Sequence, residues 1–268
     1  MQNIGEGEFD RATSVAAGGS AEIHPGWDIA GNANGGYLVA MAARHMAAMC
    51  GRPHPVSVTA HFLAPGTAGP VQVTADVLKA GRRFATVSGS IRRAGRVLLQ
   101  ALGTFGDLDG LAGGFRHVTG APPELPPQAE CLSQRSAPSE APALLGRLDV
   151  SLRPGDVGFA TRDRSGEAEV AGYFGFADGR PVDPLALLLV CDAFPPAVFN
   201  LAVPVGWVPT VEYTVHVRGV PAPGPLRCVF RSRFVQNGCL DEDGEVWDSR
   251  DQLVAQSRQI GLLPQGAS

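Results

Sequence analysis

The sequence predicts an α+β fold built from two tandem repeats, each with one helix and an antiparallel sheet. Three observations lead to this prediction. A helical pattern precedes a run of strand patterns twice along the 268 residues. A proline-rich stretch between residues 107 and 145 separates the two runs. Short segments of the first run recur at a nearly constant offset in the second, which is typical of a duplicated fold.

The composition fits one large hydrophobic core or two ordinary ones, because 44% of the residues are hydrophobic and 18% are charged. The net charge of −4 gives no electrostatic reason to expect nucleic acid as a partner. No apolar run approaches the ~20 residues that cross a bilayer, and the polar N-terminus lacks a signal-peptide core. We therefore expect a soluble cytoplasmic protein.

The five cysteines do not suggest a disulfide framework or a zinc site, because their number is odd and the sequence has no Cys-x-x-Cys. Cys191 lies in an apolar run and is more typical of a small core residue than of a nucleophile. The sequence gives no indication of a bound metal.

The first repeat is predicted to occupy residues 1–108. A strand is expected within residues 8–19, and a turn-forming cluster, Asn34-Gly35-Gly36, comes before a helix that runs from Tyr37 to Gly51. Four antiparallel strands are predicted to follow, at Val56–Leu63, Val71–Lys79, Arg83–Arg93 and Val97–Phe105.

Residues 109–147 are predicted to be a Pro-rich linker, and residues 148–268 the second repeat. Its helix is expected at Pro184–Asp192, where Pro195 and Pro196 stop it. Strands are predicted at Val150–Leu152, Ala168–Phe176, Val211–Arg218, Leu226–Gln236 and Leu253–Leu263. Turns are predicted at Asp243-Gly244 and at Asp248–Asp251.

The duplication is visible in matched segments of the two repeats. Thr59-Ala60-His61-Phe62 matches Thr214-Val215-His216-Val217, and Gly69-Pro70 matches Gly224-Pro225, both 155 residues apart. Two such copies placed side by side would join their sheets and leave a cleft at their interface.

These segments, in this order, resemble the thioesterase II-like acyl-CoA thioesterases, which have a double hotdog fold. The resemblance rests on Asn34-Gly35-Gly36-Tyr37, His61-Phe62-Leu63, Gly81-Arg82, Asp192, Pro209-Thr210-Val211-Glu212 and Ser257-Arg258-Gln259. It covers residues 20–106 and 170–263. It implies that fatty acyl-CoA thioesters are hydrolysed without a metal or other cofactor. It also implies that Asp192, Thr210 and Gln259 together hold the attacking water.

The three residues can also be judged on their own. Asp192 follows seven apolar residues at the end of a helix, where burial would raise its pKa and suit it to act as a base; an exposed Asp opening a turn is the alternative. Strict strand alternation turns Thr210 away from the helix side unless a bulge near Pro209 re-aims it. Gln259 cannot act as a base, but it can bind water or polarise a carbonyl.

The first repeat lacks this polar set, since Gly103 is the expected counterpart of Gln259 and Val56 that of Thr210. We therefore predict one active site per chain.

Two further groups are candidates for substrate binding. Backbone N–H groups of Asn34-Gly35-Gly36 could bind the thioester oxygen, although a plain turn with an Asn cap explains the cluster equally well. Arg82 and Arg83 could meet the phosphates of coenzyme A, although such charges more often form a solvated face.

Two other functions remain open on the same fold. One is a non-catalytic acyl-CoA or lipid-binding protein. The other is an enoyl-CoA hydratase or dehydratase, which would use His61 or His216 with a carboxylate, although a duplicated histidine is more simply a structural remnant. We also expect a homo-oligomer, because sheet edges and faces would otherwise stay exposed.

Overall fold

The computed structural model describes residues 7–111, 113–136, 142–161, 163–203 and 205–263. Within those ranges, thirteen strands form one continuous antiparallel sheet, and two further strands form a small separate ribbon. The helices are α1 (Glu8–Ala12), α2 (Gly35–Cys50), α3 (Gly158–Thr161) and α4 (Leu187–Val190). The strands of the first half are β1 (Ser20–Ile23), β2 (Asp28–Ile29), β3 (Asn32–Ala33), β4 (His54–Phe62), β5 (Gly69–Ala80), β6 (Ala85–Arg93) and β7 (Arg96–Gly106). Those of the second half are β8 (Leu132–Ser133), β9 (Leu148–Leu152), β10 (Glu169–Phe176), β11 (Thr210–Val217), β12 (Leu226–Arg231), β13 (Val235–Gln236), β14 (Cys239–Trp247) and β15 (Leu253–Leu262).

The order of the strands shows two copies of one unit joined at the middle of the sheet. The first copy runs β1-β5-β6-β7-β4, and the second continues β11-β15-β14-β12-β10-β9-β8, with β13 paired to β14. The second copy therefore repeats the first in reverse spatial order about the β4–β11 junction. This arrangement confirms the predicted double hotdog fold.

The junction itself relates equivalent residues of the two copies. Thr59 of β4 lies opposite Thr214 of β11 in the ladder, and their hydroxyl oxygens are 2.9 Å apart. These two threonines are 155 residues apart, the offset found in the sequence. Gly69, the first residue of β5, and Gly224, two residues before β12, also share a left-handed backbone, with φ of 123° and 122°. The matched segments therefore occupy equivalent places in the two repeats.

Helix α2 is buried along most of its length because ten of its sixteen residues have almost no exposed surface. It begins where the Asn34 side chain accepts a hydrogen bond from the Tyr37 N–H, and it ends at Gly51 in the left-handed conformation. The Tyr37 ring stacks on Trp27, and its hydroxyl donates to the carbonyl of Ala12 at 2.8 Å. This predicted helix is confirmed.

The helix predicted at Pro184–Asp192 is shorter than expected. Only α4 is regular helix, because the flanking residues form turns. The Asp183 side chain accepts from the Ala186 N–H before it, and the Tyr213 hydroxyl donates to the Leu188 carbonyl at 2.8 Å. Asp192 closes the segment with a hydrogen bond from its N–H to the Leu189 carbonyl, two residues after α4 ends at Val190.

Three sequence predictions are wrong. The strand expected at Leu226–Gln236 is interrupted at residues 232–234, which separate β12 from β13. The strand expected within residues 8–19 is instead α1, since Phe9 and Ala12 face the core at helical spacing. The turn expected at Asp243-Gly244 lies in the middle of β14. Gly244 is needed there because a Cβ would approach the Phe230 ring to 2.6 Å.

The turn before β14 is at Asn237-Gly238, where both residues have positive φ, 55° and 76°. An Asn-Gly pair between two strands is the strongest short hairpin signal in a sequence. Because the turn is at Asn237-Gly238, β14 begins at Cys239 and includes Asp243 and Gly244, where the turn was predicted.

Each repeat has a bulge at the same place. The pairing of β11 with β15 shifts register between Thr210 and Glu212, and the pairing of β4 with β7 shifts between Pro55 and Ser57. The bulge near Pro209 that would re-aim Thr210 is therefore present. It also makes Pro55, rather than Val56, the counterpart of Thr210.

The predicted linker contributes to the sheet of the second repeat. Strand β8 pairs with β9 through Leu132 and Ser133, and the Tyr173 hydroxyl donates to the Pro126 carbonyl at 3.1 Å. Residues 112 and 137–141 of the linker lie outside the described residues. The described part is thus tied to the second copy by backbone and side-chain hydrogen bonds.

Candidate active site

A cavity of about 290 Å³ lies between the two repeats, beside the N-terminus of α2. Residues of both copies form its wall, and Asp192, Thr210 and Gln259 are all among them. The structure therefore brings together the three residues predicted to hold water, although they come from three separate parts of the second repeat. The rest of the wall is largely apolar and includes Leu38, Phe62, Phe194, Trp207 and Leu240.

Asp192 is held by the start of α2. Its Oδ2 accepts hydrogen bonds from the Gly36 N–H at 2.8 Å and from the Asn34 side-chain amide at 2.9 Å. The same Asn34 amide also donates to the backbone carbonyl of Asp192 at 2.7 Å. The positive N-terminal end of the sixteen-residue α2 thus faces this carboxylate. Its favourable effect opposes the unfavourable effect of the negative C-terminal end of the short α4.

Burial is the largest influence on the Asp192 carboxyl, and it raises its pKa from 3.8 to about 6. The hydrogen bonds from Gly36, Asn34 and Gly35 favour the ionised form and limit this rise. A carboxylate of this kind is ionised at neutral pH, yet it is a stronger base than an exposed aspartate. This is the protonation behaviour required of a general base.

Close packing explains the two glycines at the start of α2. A Cβ on Gly36 would lie 2.6 Å from the Leu188 carbonyl oxygen and 2.9 Å from Cβ of Asp192. A Cβ on Gly35 would lie 2.8 Å from the Phe62 ring. Glycine therefore lets the N-terminus of α2 approach the end of α4 closely enough to bind the carboxylate.

The structure gives Asn34, Gly35 and Gly36 a different partner from the predicted thioester oxygen. Both hydrogen bonds of the Asn34 amide go to Asp192, and the Gly36 N–H donates to the same residue. The Asn34 side-chain oxygen caps α2 through the Tyr37 N–H, as the turn-and-cap alternative expected.

Thr210 and Gln259 belong to a chain of hydrogen bonds along one wall of the cavity. The Thr210 hydroxyl donates to Oε1 of Gln259 at 2.9 Å, and Nε2 of Gln259 donates to Oε1 of Glu242 at 2.9 Å. The other oxygen of Glu242 accepts from the Ala197 N–H at 2.7 Å. The orientation of the Gln259 amide is therefore determined at both of its ends.

Glu242 was missed in the sequence. It is only 5% exposed, lines the same cavity, and burial raises its pKa to about 7. Alternation along β14 places Leu240, Glu242, Gly244 and Val246 on one face. That pattern is readable in the sequence, but it was obscured by interpreting Asp243-Gly244 as a turn.

The first repeat is apolar at the corresponding positions. Gly103 lies between Val58 and Val87, as Gln259 lies between Tyr213 and Glu242. Gly103 is thus the counterpart of Gln259, as predicted, and Val87 is that of Glu242. A single polar site per chain remains our prediction.

The remaining candidates lie away from the cavity. His61 and His216 are exposed, and none of the described residues that line the cavity is a histidine. Arg82 is near the far end of α2, where Arg52 donates to its carbonyl at 3.1 Å. The sixteen residues of α2 span ~24 Å, so Arg82 and the neighbouring Arg83 are not part of the cavity wall.

No group of three or more His, Cys, Asp and Glu side chains among the described residues is arranged to hold a metal ion. No helix in the same part of the chain is both long and apolar enough to cross a membrane.

Solved structures with the same fold cover nearly the whole chain. A candidate thioesterase II from Thermobifida fusca is 35% identical, with a TM-score of 0.87 over 97% of this chain and 98% of that one. A protein of unknown function with a hot dog fold from Alicyclobacillus acidocaldarius is 24% identical, with a TM-score of 0.85 over the same shares. At this lower identity, the second likeness shows the fold alone.

The sequence comparisons agree with the fold. An uncharacterized protein of Mycobacterium tuberculosis is 27% identical over 262 residues, which are 91% of this chain and 90% of that protein. Residues 23–106 match the acyl-CoA thioesterase N-terminal domain, and residues 122–263 match the acyl-CoA thioesterase C-terminal domain. The second match begins well before residue 170, where the resemblance was expected to resume. With both domains present in order, the chain belongs to the acyl-CoA thioesterase family.

Proposed function

We propose that this protein hydrolyses acyl-CoA thioesters to a free acid and coenzyme A, using water held by Asp192, Thr210 and Gln259. The observation that carries the proposal is the shared cavity, which is lined by one half-buried carboxylate, one hydroxyl and one amide. Membership of the acyl-CoA thioesterase family supplies the class of substrate.

Asp192 is the general base in this proposal. Above pH 6 its carboxylate is ionised, and it accepts a proton from the water as the water oxygen bonds to the carbonyl carbon of the thioester. The carbon–sulfur bond then breaks, and the proton passes from Asp192 to the leaving sulfur. The bonds from Gly36 and Asn34 keep the carboxylate in place throughout.

Thr210 and Gln259 orient the water and the thioester. Because the Thr210 hydroxyl proton is directed to Gln259, the hydroxyl oxygen is left to accept a hydrogen bond from the water. Gln259 uses one N–H for Glu242 and has a second for the thioester oxygen as it gains charge. This assigns to Gln259 the role first predicted for Asn34 and Gly36, whose donors bind Asp192.

The apolar wall suits a fatty acyl chain. Leu38, Phe62, Phe194, Trp207 and Leu240 surround the polar groups on the cavity side. Moving a hydrocarbon chain from water into such surroundings is favourable by about 0.8 kcal/mol for each buried methylene. We therefore place this protein in lipid metabolism, with acyl-CoA as its substrate.

The test is release of free thiol from a panel of acyl-CoAs of increasing chain length. Asp192→Asn should fold, because the amide oxygen can still accept from Gly36, and it should lose most turnover. The control is Asp76→Asn, a change at an exposed position of β5 that should leave turnover unaltered. Equal turnover in wild type and Asp192→Asn would refute the mechanism. Tight binding of acyl-CoA without thiol release would instead support the non-catalytic alternative.

A further inference from the structure

Glu242 has no part in the mechanism above, yet it is a buried carboxylate in the wall of the cavity. A carboxylate at such a position is costly unless its oxygens are hydrogen-bonded. Here both oxygens are satisfied, one by the Ala197 N–H at 2.7 Å and the other by Nε2 of Gln259 at 2.9 Å. Its side-chain partner is therefore one of the residues assigned to the reaction.

The side-chain amide of Gln259 could point either way, because its oxygen and nitrogen ends have nearly the same shape. Thr210 does not decide between them, since a hydroxyl can donate or accept. Above about pH 7 Glu242 is ionised and can only accept, and the Ala197 N–H occupies its far oxygen. The group that faces Glu242 must therefore be the nitrogen of Gln259.

We propose that Glu242 is a positioning residue that fixes the Gln259 amide, so that Oε1 faces Thr210 and the second N–H faces the thioester. The inference rests on the proposed hydrolysis and deepens it. Without Glu242 the amide can turn over, and Thr210 must then accept from Gln259 rather than donate to it. The hydroxyl proton of Thr210 and the Gln259 N–H that faces the thioester oxygen would then both be misplaced.

The first repeat shows that the fold does not require a carboxylate at this position. Val87 is the counterpart of Glu242 in the equivalent strand, and it is fully buried. A valine is therefore compatible with the sheet and its core at this register. Glu242 thus contributes something other than packing.

The experiment compares Glu242→Gln, Gln259→Leu and the double variant with the wild type, using thiol release from the best acyl-CoA of the panel. Glu242→Gln should lower kcat roughly 10-fold or more, with KM changed less than about twofold. In the Gln259→Leu background the same substitution should have no further effect on kcat, because Glu242 acts through Gln259. The thermal midpoint should not fall.

Glu245→Gln is the matched control. Glu245 is on the same strand but on the opposite face from Glu242, and its carboxylate accepts from the Trp247 ring N–H at 3.2 Å. Its kinetic constants should equal those of the wild type. If Glu242→Gln does not fold, Glu242→Val, which copies the first repeat, should show the same loss of kcat.

Unchanged kcat in Glu242→Gln or Glu242→Val would overturn the inference. An equal loss in both backgrounds would also overturn it, since Glu242 would then act independently of Gln259. If Asp192→Asn abolishes turnover while the Glu242 variants retain it, only this inference fails. Absence of thiol release from the wild type would overturn the proposed hydrolysis as well.

Discussion

The two repeats share one framework but differ at the positions that matter for chemistry. The first has Pro55, Val87 and Gly103 where the second has Thr210, Glu242 and Gln259. The bulge before the central strand is present in both. The strand framework therefore accepts either an apolar or a polar set at the same register.

The helices differ in a complementary way. The sixteen-residue α2 packs along the first repeat, whereas the four-residue α4 is followed by the turn that bears Asp192. The first repeat supplies the helix N-terminus that binds the carboxylate, and the second supplies the carboxylate, hydroxyl and amide. The comparison teaches that neither copy contains the whole site, although the three side chains assigned to the reaction all lie in the second repeat.

The largest expected effect comes from removing the polar group of the second repeat at Thr210. Thr210→Val keeps the branched shape but removes the hydroxyl that bonds Gln259 at 2.9 Å. We expect kcat to fall roughly 100-fold, because the attacking water loses one of its fixed partners. Thiol-release kinetics measure the effect.

The control is Thr104→Val on β7 of the first repeat, which should retain full activity. A kcat for Thr210→Val within about twofold of wild type would show that the two repeats do not differ in function at this position.

The next effect is the dependence of turnover on pH. Burial raises the pKa of Asp192 to about 6, and the carboxylate must be ionised to accept a proton. We expect kcat to fall ~10-fold for each pH unit below 6, and to level off only above about pH 7, where Glu242 is ionised as well. A profile that stays flat from pH 5 to 8 would exclude Asp192 as the base.

The same carboxylates should make the second repeat sensitive to pH in its stability. Burial raises the pKa of Asp192 from 3.8 to about 6 and that of Glu242 from 4.5 to about 7. Between these pKa values the folded chain keeps protons that the unfolded chain has released. The free energy of unfolding therefore decreases as pH rises from about 4 to 7. Asp192→Asn should gain thermal stability relative to wild type over the part of this range up to pH 6. A constant difference in thermal midpoint would contradict the pKa shift.

The strands and the helix α2 could largely be predicted from the sequence, because these elements depend on local patterns. The segments containing Thr59 and Thr214 carried the duplication, and Asn34 with Gly51 marked the ends of α2. The alternation that places Glu242 on a buried face can be read in the sequence, but its role in the site cannot. That role depends on Gln259 of the adjacent strand and on Ala197, which begins a short 3-10 helix distant in the sequence.

A smaller effect is expected where α2 meets α4. Alanine normally stabilises a helix relative to glycine by roughly 0.5–1 kcal/mol, but a Cβ on Gly36 would lie 2.6 Å from the Leu188 carbonyl oxygen. We therefore expect Gly36→Ala to lower the free energy of unfolding by about 1–3 kcal/mol, as measured by denaturant titration.

The matched control is Gly146→Ala, because nothing lies within 4 Å of the Cβ it would add. Its free energy of unfolding should stay within about 0.5 kcal/mol of wild type. A gain in stability in Gly36→Ala would mean that the two helices do not require this close approach.

The smallest effect concerns the junction between the repeats. The Thr214 hydroxyl donates to Glu212, so Thr59 must donate to Thr214 across the junction. Thr59→Val removes one hydrogen bond and should lower the thermal midpoint by about 2–4 °C, which corresponds to about 1 kcal/mol in a chain of this size. The expected kcat is that of wild type, because no residue assigned to the reaction contacts this hydroxyl. A fall in kcat without a fall in the thermal midpoint would contradict this expectation. It would show that the hydrogen bond at the junction affects catalysis in the second repeat and not only the stability of the sheet.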